Sequence, residues 1–211
     1  MSDDRSLTTF VMAAQVPWPD DVPAADAIGT LDPVAMLVDG ARQSCGIRRI
    51  SSLGTTIRGI SAREAGDPVT IELATGQRAA GIVDWAASGE AGIRFRQPID
   101  MIALLNRKLV SQPGERRTMP RVELRCAVGV KWGASVAAAT LRNISSGGLQ
   151  VQGDGLPPRD TFVSLFVDGL NVPAGEIVWR KGDLAGIELM EELSWSSIMP
   201  WVRETMRRTA G

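Results

Sequence analysis

The sequence predicts a mainly β chain of two tandem small antiparallel barrels, each followed by a helix. Three observations point there: an internal repeat about 94 residues apart, short strand-like runs broken by glycine or proline, and an amphipathic segment after each copy. IRRISSLG at 47–54 aligns with LRNISSGG at 141–148, and five of the eight positions are identical. GIVDW at 81–85 resembles EIVWR at 176–180, and AGI at 91–93 recurs at 185–187. Three matches in the same order argue for duplication, with copies large enough for one small core each.

Taken in order, residues 1–30 form an N-terminal extension rich in Asp, Pro and Ala, expected to be partly disordered. Residues 31–108 hold the first barrel and its helix, PIDMIALLNRK at 98–108. Residues 109–120 read as a linker with Pro, Gly and basic residues. Residues 121–211 hold the second barrel and a C-terminal helix. Its strands are VELRCAVGVKW, AATLRNI, GLQVQG, TFVSLFVDG, NVPAGEIVW and AGIELME, rich in Val, Leu, Ile and Thr. Five or six short strands at this spacing suggest an antiparallel barrel. In the closing helix Ile198, Trp201, Val202 and Met206 share a face, and Pro200, suited to a first turn, predicts a start about there.

Composition narrows the function. Of 211 residues 44% are hydrophobic and 22% charged, and the net charge is −1. No global basic field exists to recruit DNA, RNA or an acidic membrane, so any anion site must be local. Cys45 and Cys126 make no disulfide framework and read as idle cytosolic thiols. Asp3 and Asp4 stand where a signal peptide would be basic, and FVMAAQV is too short to span a bilayer. A cytoplasmic protein without membrane insertion is expected. The chain has no histidine, which removes Ser–His and Cys–His pairs, the usual zinc sites and the commonest general base. No catalytic residue and no metal ligand is assigned, and an enzyme is not expected.

Two motifs carry the chemistry. In GERRTMPR at 114–121, Pro120 forces Met119 out of helical geometry, so Arg117 and Arg121 lie on an extended segment. Such guanidiniums either wrap an anionic ligand with paired hydrogen bonds or belong to a solvated basic linker. In NISSGG at 143–148, Asn143 and Ser145 suit a turn, while Gly147 and Gly148 permit positive φ or close backbone approach. The segment is either an anion-facing turn or a plain strand connection.

Together, Glu115-Arg116-Arg117, Pro120-Arg121, 21 intervening residues and Asn143-x-Ser145-x-x-Gly148 resemble the PilZ domain family. The resemblance covers about 115–208 and, through the repeat, extends weakly to about 30–110. It implies a six-stranded antiparallel barrel in a bacterial receptor for cyclic di-GMP, with no cofactor beyond that ligand. By resemblance Arg117 and Arg121 grip phosphates and guanine edges, and Asn143, Ser145 and Gly148, with Gly147 beside them, form the complementary patch. Asn143 stands where many members have Asp, which removes a charge but keeps an acceptor. Arg116 is a further candidate, associated in the family with an intercalated ligand pair. Trp179 either stacks on guanine or packs the interface between the domains. In the first copy Arg49 replaces Asn143, Leu53 replaces Gly147, and Pro23 and Ala27 stand in place of the arginines, so no site is expected there. The expected function is a receptor that rearranges its domains and signals to a downstream protein partner. The alternative is a PilZ-like adaptor without nucleotide; a β-barrel enzyme lacks a visible nucleophile, base or metal cluster.

Overall fold

The computed structural model describes residues 7–18, 30–61, 63–111 and 120–210. The chain divides into two compact units, Met1–Arg121 and Val122–Gly211.

Apart from Arg121 at the boundary, the second unit is built on β8 (Arg121–Trp132), β9 (Ser135–Ser145), β10 (Gly148–Gln152), β11 (Phe162–Val167), β12 (Gly175–Lys181), β13 (Leu184–Leu189) and α2 (Trp195–Ala210). Every pairing is antiparallel, in the order β11–β12–β13–β10–β9–β8, and β8 pairs again with β11. The result is a closed six-stranded barrel with no free sheet edge. Period-two alternation fills it. In β11 Val163, Leu165 and Val167 are buried while Phe162, Ser164 and Phe166 are exposed. Leu141, Ile144, Val151 and Ile177 are fully buried, each contributing about 1.5–3 kcal/mol of transfer free energy.

α2 begins five residues before Pro200, which corrects the sequence expectation. Ser194 caps it: its Oγ accepts from Ser197 N at 3.3 Å, and its carbonyl accepts from Ile198 N at 3.2 Å. Burial of Ile198, Met199, Trp201 and Val202 holds the early turns despite the N–H that Pro200 lacks. Met206 is only half-buried at the far end of that face.

The first unit contains β1 (Thr9–Val11), β2 (Asp32–Val38), β3 (Ala41–Ser51), β4 (Gly54–Arg58), β5 (Pro68–Leu73), β6 (Arg78–Ala87), β7 (Glu90–Phe95) and α1 (Met101–Ser111). Its antiparallel ladder runs β3–β2–β5–β6–β7–β4, and β4 returns to β3. The sequence reading assigned no strand before residue 30, yet β1 lies parallel to β3 with Thr9 opposite Arg49 and Phe10 opposite Ile50. Thr8 stitches it in, donating to Ile47 O at 2.7 Å and accepting from Asp32 N at 2.8 Å. α1 extends three residues into the stretch read as the linker 109–120.

Backbone details recur between the units at a separation of 94 residues. Phe95 N donates to Leu53 O and Leu189 N to Gly147 O, each at 2.9 Å. Ile99 N reaches Ser52 O as Leu193 N reaches Ser146 O. Register shifts that skip Arg48 and Asp84 in one unit skip Arg142 and Val178 in the other. The helices start at corresponding residues, Met101 and Trp195. The string match of GIVDW with EIVWR is therefore one residue out of register: Trp85 corresponds to Trp179.

Candidate functional site

β9 and β10 form a hairpin whose two-residue turn is Ser146–Gly147. Ser145 and Gly148 pair across it, and Ser145 Oγ donates to Gly148 O at 3.3 Å. Neither Gly147 nor Gly148 has positive φ. That part of the expectation is corrected, and it explains why the other unit tolerates Leu53 in the place of Gly147. Gly148 is instead required by proximity, since a Cβ there would lie 2.5 Å from Ile187 O. At Gly147 a Cβ would meet open space.

Asn143 and Gln150 lie two residues from the paired ends of the turn, on the same outer face as Ser145 and Gly148. Their neighbours Ile144, Leu149 and Val151 point into the barrel. The pairing extends sideways as one row: Glu123 of β8 opposite Asn143, Asn143 opposite Gln150, Gln150 opposite Gly186 of β13, and Gly186 opposite Trp179 of β12. Although they face outward, Glu123, Asn143 and Gln150 are only 7%, 5% and 5% exposed. Asn143 Nδ2 donates to Gln150 Oε1, while Gln150 Nε2 is buried without a hydrogen-bond partner.

Trp179 is half-buried. Its indole lies across Gly186, where an added Cβ would stand 2.0 Å from Nε1. Trp85 covers Gly92 in the same way, at 2.1 Å. Only glycine lets the ring approach the sheet this closely, so Trp179 is positioned beside Gln150 by the neighbouring strand. Arg121 is exposed at the head of β8, and the next residue, Val122, pairs with Ile144. Arg116 and Arg117 lie outside the described residues.

Sequence reasoning missed Glu123 and Gln150, because each looks like an ordinary outward polar residue of a strand. It also missed the Trp–Gly pairs, although Trp-x6-Gly occurs at both 85–92 and 179–186. The equivalent row of the first unit reads Arg49, Thr56, Gly92 and Trp85. There Arg49 is buried, and its backbone N–H donates to Thr56 Oγ1 at 3.1 Å. Trp18 covers the corresponding turn: a Cβ on Gly54 would lie 3.0 Å from its ring. The guanidinium of Arg94, paired with Asp84 at 3.0 Å, stands 5.8 Å from the Trp18 centroid.

Several solved structures resemble the chain at low identity. The Bacillus subtilis inhibitor of motility MotI/DgrA is 14% identical with a TM-score of 0.32, over 85% of this chain and 96% of that one. Borreliella burgdorferi PlzA in complex with c-di-GMP is 11% identical with a TM-score of 0.31, over 82% and 86%. Escherichia coli YcgR in complex with c-di-GMP is 12% identical with a TM-score of 0.28, over 85% of each chain. No curated protein matches the chain. What does match is a family model: residues 115–197, which contain the arginine motif, the Asn143–Gly148 turn and Trp179, match the PilZ domain.

Proposed function

We propose that this protein is a non-enzymatic receptor for cyclic di-GMP, acting in the cytoplasm through a downstream protein partner. The observation that carries the reading is the buried, outward-facing polar row Glu123–Asn143–Gln150 beside the Ser145–Gly148 turn, within the segment matching the PilZ domain. Asn143, Ser145, Gly147 and Gly148 present the guanine-facing patch. Arg117 and Arg121, with Arg116 beside them, supply charge for the phosphates, and Trp179 flanks the base. No described helix is long and apolar enough to cross a membrane.

In this reading the first unit is a degenerate copy of the same barrel. The recurrent hydrogen bonds and register shifts support the duplication, and Arg49 with Trp18 over Gly54 supports the loss of the site. Because the gripping arginines lie between the two ladders in sequence, ligand capture is a means of moving one unit against the other. Small-angle scattering with and without nucleotide tests that step; an unchanged profile at saturation would exclude it.

Calorimetric titration of the full chain with cyclic di-GMP tests the receptor itself. Each charge-assisted hydrogen bond contributes about 1.5–3 kcal/mol, so Arg117→Ala or Arg121→Ala is expected to weaken binding about 10- to 150-fold. Wild-type affinity in both variants would end the proposal. A nucleotide-free adaptor is the second reading, favoured by the exposed Phe162 and Phe166 of β11, and the same titration separates the two.

A further inference from the structure

Gln150 lies outside the Asn143–Gly148 motif, and its side chain has an arrangement that the motif does not explain. We propose that Gln150 distinguishes guanine from adenine in the bound cyclic dinucleotide, by offering an N–H donor whose orientation is fixed. The inference rests on the receptor reading above.

Four observations lead to it. Strand alternation turns Leu149 and Val151 into the barrel and Gln150 to the outside, yet Gln150 is 5% exposed. Its Oε1 is engaged by Asn143 Nδ2, which sets the polarity of the amide. Its Nε2 is buried and has no partner, a rare condition for a donor in a native structure. On its other side the Trp179 indole lies across Gly186, so the ring itself borders Gln150. A planar base that docks on the outer face of this row meets the indole beside a fixed N–H donor.

The chemistry of the two purines then decides the outcome. The Hoogsteen edge of guanine carries two acceptors, N7 and O6. Adenine keeps the N7 acceptor but places a donor, the N6 amino group, where guanine has O6. A freely rotating glutamine reads adenine well, because it offers one donor and one acceptor. Gln150 has less freedom: its Oε1 already accepts from Asn143, which fixes the amide and leaves Nε2 as the unpaired group to meet a ligand. Guanine offers acceptors to both N–H bonds of the orphaned amide, whereas adenine accepts one at N7 and opposes the other with its N6 donor. The short side chain of Thr56, which takes this position in the first unit, carries no amide to do the same.

Calorimetry on the full chain with cyclic di-GMP and cyclic di-AMP tests this. The wild type is expected to favour the guanine ligand. Gln150→Leu and Gln150→Glu, both near the original volume, are expected to cut that preference about 10- to 100-fold, Glu more because it presents an acceptor to N6. Melting curves establish that the variants are folded. A second readout needs no variant: the Gln150 side-chain NH2 resonance of the wild type should shift and gain exchange protection on adding cyclic di-GMP. A preference unchanged in folded variants, or a resonance unmoved at saturation, would overturn the role of Gln150 while leaving the receptor intact. Failure of the wild type to bind either nucleotide would overturn the receptor reading, and this inference with it.

Discussion

Replacing Gly186 by alanine separates packing from recognition, because Gly92 provides a matched control. In Gly186→Ala the new methyl would stand 2.0 Å from Trp179 Nε1. Ordinary carbon contacts lie near 3.5 Å, so the indole must retreat by about 1.5 Å. Forced repacking of this kind costs about 1–3 kcal/mol. For a unit of this size each kcal/mol lowers Tm by about 4–8 °C, so a fall of at least about 4 °C is expected. Gly92→Ala creates the same conflict with Trp85 at 2.1 Å and should cost its own unit as much. The variants should part on ligand affinity. Base–aromatic stacking contributes about 1–3 kcal/mol, so displacing Trp179 should weaken cyclic di-GMP about 5- to 150-fold. Displacing Trp85 should leave affinity unchanged. Thermal melts with parallel calorimetry measure both quantities. Wild-type affinity in Gly186→Ala would reduce Trp179 to a packing residue. Equal loss of affinity in both variants would show that the effect is global and refute the positional reasoning.

Asn143→Asp would set a carboxylate directly opposite Glu123, and like charges in that relation destabilise by about 0.2–1 kcal/mol. Urea melts at pH 7 should show that loss, and adding Glu123→Gln should remove the charge component; an unchanged penalty in the double variant would point to the lost Asn143–Gln150 bond instead. Burial pushes the Cys45 and Cys126 thiols up to about 11 from 9.0. At pH 8 their thiolate fractions, and so their alkylation rates, should be roughly 100-fold below those of the unfolded chain. Because the folded pKa is the higher one, the two thiols contribute stability below pH 9.0 that declines as pH rises towards about 11; flat melting temperatures across that window would contradict the shift.

Much of the second unit was readable because its information is local. Alternation in TFVSLFV and the Gly/Pro breaks marked strands, and the Asn143–Gly148 turn carried its own residue pattern. The repeat was equally legible, and used more strictly it would have placed the start of α2. Asp100 caps α1 through Ala103 N, and Ser194 is its counterpart before α2, yet Pro200 drew attention five residues downstream. What stayed hidden depends on neighbours across strands. β1 has three residues, and its partner Arg49 is 40 positions away. Glu123, Gln150 and Gly186 become one row only when four strands are in register. No window along the chain contains that row, or shows that Asn143 stands opposite Glu123.

The position of Trp18 over Gly54 has a thermodynamic consequence. An indole carried by the same chain meets the Gly54 turn at an effective concentration on the order of millimolar, set by the tether rather than by the cell. A dissolved planar molecule present at micromolar levels competes with it at a disadvantage of about a thousandfold before any contact is compared. Trp18 thus holds the Gly54 turn of the first unit against dilute planar competitors. On the receptor reading proposed above, that leaves the second unit as the one site, and titration of the full chain should follow a single binding curve.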